Sequence, residues 1–187
     1  MKKLIYILFT CITASSLVSC LNSDDPYKEY AEWLVINDNW LTDQEQLKDE
    51  YGNNFYTKVT PSFDNDVHIL MHWFNDRSKT RDNLSPKYTS TVDVKYIGRI
   101  ITGDAFDSSF LSTKPADSLF RTNLESVIDG WGIALMQMHI GDSCRIVIPY
   151  DLAYGTSSMG TVILPFSNLV FDLKLVGIPA YETKFSD

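Results

Sequence analysis

Several side chains have types that could act on a substrate, but none of them forms a complete catalytic set by spacing alone. His68 and His72 are four residues apart, which on a helix could ligate zinc, but the alternation around them favours a half-exposed strand face. Asp64 and Asp66 lack the glycine and the closing glutamate of a calcium loop, so a turn is expected there. Ser143 follows Gly141-Asp142, but the flanking glycine pattern of a nucleophile elbow fails because Arg145 stands at the second glycine position. We therefore expect neither a metal ion nor a cofactor.

The first twenty residues have the composition of a targeting signal. Lys2 and Lys3 precede a mostly apolar run over residues 4–12. That run is shorter than the roughly 20 apolar residues that a membrane-spanning helix needs. It therefore predicts a secretory signal peptide over residues 1–19.

Cys20 follows this segment, and its surroundings are similar to a bacterial lipobox. Leu17, a branched apolar residue, stands three positions before it, and a small residue directly precedes it. We expect Cys20 to be lipidated, with an ordinary signal peptide and a chance cysteine as the alternative. Residues 20–25 then form a tether. Its Asp24-Asp25 pair fits either a solvated linker or the surface-export signal that it resembles in Bacteroidetes lipoproteins.

The cysteine count and the charge follow from this division. Cys11 leaves with the signal peptide. Cys144 has no neighbouring histidine or cationic cluster to favour a thiolate, so it is predicted to be a buried core thiol. The chain carries a net charge of −8, which argues against a nucleic-acid partner because phosphate contacts need clustered Lys and Arg. Membrane attachment would come from acyl chains on Cys20.

The secondary structure that must position any site is predicted to change from helix to strand near residue 55. Residues 26–54 are predicted to be a helical extension, with Pro26 at a first helical position and Trp33 and Trp40 in an apolar pattern of helical period. A second short helix is expected to open at Thr42. This extension either packs on the domain that follows or serves as a dimerisation or client-holding arm, and a homodimer through these helices is one candidate assembly.

From residue 55 onward the apolar period is two, which indicates strands. The predicted helix covers residues 126–138, and residues 75–86 are expected to form a loop. Many strands and one mid-chain helix indicate an α+β fold with the helix held against an antiparallel sheet. The predicted strands are residues 55–59, 67–74, 92–98, 145–149 and 169–178.

Several short motifs occur in a specific order through this second part. They are residues 92–99, 103–109, 127–131, 138–141, 148–155 and 164–172. Together they resemble an FKBP-type peptidyl-prolyl cis-trans isomerase over residues ~85–178. The resemblance implies an antiparallel half-barrel sheet wrapped around one short helix, within a domain over residues 55–179 that leaves a C-terminal tail over residues 180–187.

The resemblance also assigns roles around a pocket for the proline ring. Trp131 would be its floor, and Asp107 would lie at its rim. The Tyr154 hydroxyl and the Ile128 N–H would donate hydrogen bonds to peptide carbonyls, while Val162 and Ile163 would contact the substrate. The pocket walls would be Tyr96, Phe106, Val127, Ile128, Tyr154 and Phe171.

Some positions depart from the family pattern. Phe110 and its neighbours stand where a basic residue often pairs with the acid, so Asp107 would pair with the Tyr96 hydroxyl instead. Ser118 occupies the place of a pocket aromatic, with Phe120 close by. Met159 and Leu164 also differ from the usual residues.

The resemblance implies isomerisation of X-Pro bonds. Together with the leader, it predicts that the protein acts on exported polypeptides and assists folding in a bacterial envelope, at the outer membrane and facing the periplasm or the surface. Proline-containing polypeptides are the implied partners, and rapamycin-class macrolides are candidate ligands. The alternative is a catalytically weak chaperone or binding module.

Overall fold

Strands of alternating apolar residues build one antiparallel sheet of seven strands. The computed structural model describes residues 26–112 and 118–179. The strand order is β1-β2-β6-β7-β3-β4, with β5 beside β3. The strands are β1 (Thr57–Val59), β2 (Ile69–Trp73), β3 (Thr91–Ile100), β4 (Ala105–Ser108), β5 (Phe120–Asn123), β6 (Ser143–Ile148) and β7 (Leu169–Gly177). The predicted α+β class is confirmed.

Strand β3 organises the sheet because it is long enough to have different partners along one edge. β7 pairs with it along one side. On the other side its first half pairs with β5 and its second half with β4. Gly103, with φ of 94°, makes the turn that leads from β3 to β4. Aromatic residues of β4, β5 and β7 are thereby brought to one strand.

Helix α3 (Asp129–Leu135) lies on the concave face of the sheet and is shorter than the predicted helix. The preceding residues Leu124–Ser126 form a 3-10 turn, and Val127 and Ile128 are extended. These two residues therefore precede the helix, and both line the cavity between α3 and the sheet. The helix packs over a core that includes Ile69, Val94, Ile146, Leu173 and Cys144.

Cys144 is fully buried in this core, as expected, with its Sγ 3.9 Å from the Met138 sulfur. Burial raises the pKa of the thiol to about 12, and the Asp142 charge adds to that shift. The side chain therefore behaves as a small apolar residue.

The N-terminal residues form a 3-10 turn at Lys28–Tyr30 followed by helix α1 (Ala31–Gln46). The expected break into a second helix at Thr42 is wrong. The Thr42 hydroxyl donates to the Asp38 carbonyl oxygen at 2.9 Å, so Thr42 lies inside one continuous helix. Trp40 and Leu41 pack against a small cluster on the outer face of the sheet, formed by Tyr56, Leu70, Val147 and Val170.

His68 and His72, the two histidines at zinc-ligand spacing, make separate contacts. His68 precedes β2, and its Nε2 lies 2.6 Å from Glu45 of α1. The His72 ring stacks on Phe55 at 3.9 Å between ring centres. Asp66 donates its N–H to the Asp64 carboxylate at 2.8 Å, as in the expected turn.

Asp142 anchors the segment before β3, which contains a 3-10 turn at Arg77–Lys79 within the predicted loop. Its carboxylate is fully buried and accepts hydrogen bonds from Thr80, Asn75 and the His139 N–H. The Arg77 Nε lies 3.3 Å away and supplies a positive charge. A buried carboxylate with these partners fastens the segment to the turn between α3 and β6.

The predicted signal peptide, Cys20, the tether and the C-terminal tail lie outside the described residues. Across residues 26–112 and 118–179, no helix is both long and apolar enough to span a bilayer. Helix α2 (Ser109–Ser112) is a single turn after β4.

Candidate functional site

A cavity of about 260 Å³ opens between α3 and the concave face of the sheet. Most of its lining is aromatic or aliphatic. The lining residues are Tyr96, Phe106, Asp107, Phe120, Ser126, Val127, Ile128, Trp131, Tyr154 and Phe171. All eight residues that the sequence assigned to the floor, walls and rim of the pocket are brought together here.

Trp131 forms the floor of the cavity and is 4% exposed. Its ring centre lies 5.0 Å from that of Tyr96 and 5.3 Å from that of Phe171, both in edge-to-face geometry. Phe106 meets Phe171 at 5.6 Å and 89°. Such contacts favour a fixed arrangement of rings. The cavity is therefore a preformed apolar site.

The close approach of the wall rings to the sheet depends on Gly98 of β3. A Cβ at Gly98 would lie 2.7 Å from ring atoms of both Phe106 and Phe171. The pairing of β3 with β4 also shifts register next to Gly98. The glycine belongs to the sequence motif, but its packing role was not predicted, because it depends on residues of two other strands.

Asp107 sits at the rim with its charge already satisfied. The Tyr96 hydroxyl donates to Asp107 Oδ2 at 2.5 Å, and the Ser108 N–H donates to Oδ1 at 2.7 Å. This is the Tyr96 partnership expected from the sequence. The acid therefore holds the tyrosine wall in place.

Unlike the Asp107 carboxylate, two donors at the cavity are available to bind a ligand. Within residues 26–112 and 118–179, neither the Tyr154 hydroxyl nor the Ile128 N–H has a hydrogen-bond partner. Burial raises the pKa of Tyr154, and the nearby Asp107 charge raises it further, so the phenol keeps its proton. The Trp131 Nε1 is also buried, without a partner in the described part of the chain.

Phe120 and Ser126 line the cavity but were not among the predicted site residues. The family pattern aligns Ser118 with the aromatic position and leaves Phe120 as the alternative in a shifted loop; Phe120 on β5 lines the cavity, with its ring 5.6 Å from Tyr96. Ser118 has a left-handed φ of 53° instead. The apolar character of Phe120 next to the motif was the available signal, and the pairing of Val94 with Phe120 fixes the register.

Val162 and Ile163 line an adjoining cavity of about 410 Å³ and are not part of the aromatic one. The two cavities share Phe106, Asp107 and Tyr154. Ile163 is buried in the core, whereas Val162 is exposed at the surface. The two predicted contact residues thus differ in how directly a bound molecule could touch them.

The site offers an apolar cavity with uncharged hydrogen-bond donors at its edge. The described residues contain no group of three or more side chains arranged to hold a metal ion. An apolar ring would fit on Trp131, and carbonyl oxygens beside that ring could accept from Tyr154 and Ile128.

A half-barrel sheet around one short helix, with this aromatic cavity, defines a known class of protein. Residues 83–176, half of the chain, match the family of FKBP-type peptidyl-prolyl cis-trans isomerases. The chain therefore belongs to that family.

Particular relatives extend this finding. The chain is 45% identical over 94 residues to a macrophage infectivity potentiator of Trypanosoma cruzi, covering 50% of this chain and 46% of that protein. It is 38% identical over 93 residues to the outer membrane protein MIP of Legionella longbeachae, covering 50% and 38%. It thus spans less than half the length of these curated relatives. The crystal structure of a peptidyl-prolyl cis-trans isomerase from Pseudomonas syringae superposes with a TM-score of 0.60 at 28% identity, covering 83% of this chain and 98% of that one.

Proposed function

We propose that this protein is a peptidyl-prolyl cis-trans isomerase that acts on X-Pro bonds of exported polypeptides. The observation that carries the proposal is the aromatic cavity floored by Trp131, at which the donors of Tyr154 and Ile128 have no partner among the described residues. Family membership and the names of the relatives support it.

The reaction is rotation about an amide, and its barrier comes from resonance. That barrier is about 18–20 kcal/mol, so uncatalysed exchange takes tens to hundreds of seconds. No bond breaks, so neither a nucleophile nor a metal is required. Lowering the barrier by about 4 kcal/mol would accelerate the exchange about a thousandfold.

The cavity would lower the barrier in two ways. Conjugation is lost at the half-rotated state, and the amide becomes less polar there. An apolar cavity disfavours the planar, more polar amide relative to the twisted one. The second contribution comes from Ile128 N–H and Tyr154 hydroxyl bonds that fit the carbonyls of the twisted state better than those of the planar one. Asp107 would contribute by holding Tyr96 in the wall.

The site of action that we propose is the bacterial envelope. The apolar leader over residues 1–19 and the lipobox-like sequence ending at Cys20 support it, as does similarity to a protein named for the outer membrane. Acyl chains on Cys20 would hold the protein on a membrane. Labelling growing cells with palmitate tests this: the wild type should incorporate label and Cys20→Ser should not. Equal labelling would exclude attachment at Cys20.

A proline-limited peptide cleavage assay tests the activity. We expect the wild type to accelerate the slow phase and Trp131→Leu to abolish most of that acceleration. Rapamycin, a macrolide that we expect to occupy the same cavity, should inhibit the wild type. Wild-type and Trp131→Leu rates that are both at background would refute catalysis.

A second candidate, a polypeptide-binding module of low turnover, is favoured by one observation. Met159, Val162 and Leu164 are 48%, 37% and 37% exposed beside the adjoining cavity. This apolar rim suits contact with an unfolded chain. Suppression of client aggregation with no change in the proline-limited rate would favour the module over the enzyme.

A further inference from the structure

The N-terminal arm (residues 26–46) contacts the same loop that supplies Tyr154 to the cavity. This Tyr154 loop covers residues 150–168. The Trp33 Nε1 donates to the Ser167 hydroxyl at 2.9 Å. The Tyr27 ring meets Phe166 edge-on at 5.4 Å. The arm lies outside residues 83–176, the part of the chain that matches the family.

The strongest contact between the arm and the loop is a pair of buried asparagines. Asn37 and Asn168 are both fully buried. The Asn168 N–H donates to Asn37 Oδ1 at 2.8 Å, and Asn168 Nδ2 donates to the Asn37 carbonyl oxygen at 2.8 Å. Asn37 Nδ2 in turn donates to the Trp33 carbonyl oxygen at 2.9 Å. Buried amides with these bonds satisfied fix the two segments in one geometry.

The second asparagine passes this constraint to the start of the Tyr154 loop. Asn168 Oδ1 accepts from the Tyr150 N–H at 2.9 Å. The Tyr150 carbonyl oxygen then accepts from the Gly155 N–H at 2.9 Å, and the Gly155 carbonyl oxygen accepts from the Phe166 N–H at 2.9 Å. Tyr154 directly precedes Gly155, so its backbone lies inside this chain of hydrogen bonds.

Aromatic packing holds the other end of the loop. Phe166 adopts a left-handed φ of 64°, which is uncommon for a bulky residue and needs surrounding contacts to persist. Its ring lies 5.4 Å from Tyr27 of the arm and 5.5 Å from Tyr150 of the loop. The arm therefore supports the one strained residue in the loop as well as the hydrogen bonds.

We propose that Asn37 is a positioning residue for the isomerase site, acting through Asn168 and Tyr150 to place the Tyr154 hydroxyl. This inference rests on the proposed function. The arm is then a working part of the site rather than a spacer, and its helix carries an asparagine at its one buried position because that position must bond the loop.

Leucine at residue 37 tests the proposal, because it has a similar size, is a better helix former than asparagine, and removes the acceptor for the Asn168 N–H. We expect Asn37→Leu to lower kcat/KM for a proline peptide about threefold to tenfold. Hydrogen exchange over residues 150–168 should accelerate at the same time. The matched control is Leu41→Ala, which weakens the packing of the same helix on the cluster at the outer face of the sheet, whose members lie outside the loop.

A double-mutant cycle separates positioning from general loosening. If Asn37 acts through the Tyr154 hydroxyl, Asn37→Leu should cost nothing further in a Tyr154→Phe background. A second pair, Trp33→Phe against Trp40→Phe, keeps the test available should Asn37→Leu fail to fold. Only the Trp33 change removes a bond to the loop.

Two results would overturn the proposal. The first is unchanged kcat/KM and loop exchange in both Asn37→Leu and Trp33→Phe. The second is a loss of kcat/KM in Leu41→Ala equal to that in Asn37→Leu. The exchange measurement needs no turnover, so it tests the bracing of the loop even if the wild type proved inactive, which would refute the proposed function alone.

Discussion

A methyl group at Gly98 should damage the cavity more than its size suggests. In Gly98→Ala the new Cβ would lie 2.7 Å from ring atoms of Phe106 and Phe171, and 2.9 Å from a second atom of Phe106. Ordinary contacts at such positions are 3.4–4 Å, so both rings must retreat by several tenths of an ångström.

The two rings differ in how they can respond. Phe171 is buried and packed edge-on against Trp131, so it has little room to move. Phe106 is only half-buried, and the space open to it is the cavity. Overpacking of this kind costs about 1–3 kcal/mol, which is a large part of a typical free energy of unfolding. Displacing a wall ring by about 1 Å can lower a catalytic rate up to about a hundredfold.

Urea unfolding and the proline-peptide assay measure the two effects on the same protein. We expect Gly98→Ala to unfold at lower urea and to lose at least tenfold in kcat/KM, on the basis of a misplaced wall. Gly177→Ala is the matched control, since it also lies in a strand and a Cβ there meets nothing within 4 Å. Equal stability and turnover in Gly98→Ala and this control would show that the rings of Phe106 and Phe171 do not depend on the missing Cβ at Gly98.

Two further predictions concern buried groups away from the cavity. The Cys144 thiol, whose pKa burial raises to about 12, should react with a disulfide reagent at pH 8 only as fast as the protein unfolds, and rapid labelling of the native protein would contradict this. Burial alone would raise the pKa of Asp142, but hydrogen bonds from Thr80, the His139 N–H and Asn75, with the Arg77 charge, lower it overall. The stability that this carboxylate contributes is therefore present above about pH 4 and is lost as the pH falls through its lower folded value. Urea midpoints should fall less between pH 7 and pH 3 in Asp142→Asn than in the wild type, and equal slopes would refute the assignment.

The parts of the fold that follow from local pattern could be predicted. Period-two alternation located β3 and β7. The family resemblance carried by the ordered motifs assigned Trp131, Tyr96 and Phe171 to one pocket, and the structure brings them together. Register could not be derived in the same way. Phe120 rather than Ser118 fills the aromatic position because β5 pairs with β3 at Val94, a contact between distant segments.

The arm shows a different limit of pattern reasoning. Helical periodicity directs attention to apolar residues, and it identified Trp33 and Trp40. The one fully buried residue of α1 is Asn37, whose partner lies 131 positions away. From sequence alone an asparagine is expected at the surface, because burying its side-chain amide is unfavourable unless all of its hydrogen bonds are made. Thr42 shows another limit, because an exposed threonine suggested a helix start, whereas its hydroxyl donates back to the Asp38 carbonyl oxygen within the helix.

The polar groups at the cavity indicate what the site is built to receive. Asp107 is the one carboxylate in the lining, and its two oxygens are already occupied by Tyr96 and the Ser108 N–H. Tyr154 and Ile128, by contrast, are half-buried and present donors without partners in the described part of the chain. This arrangement suits a ligand that brings carbonyl oxygens and an apolar ring, as a proline-containing peptide does.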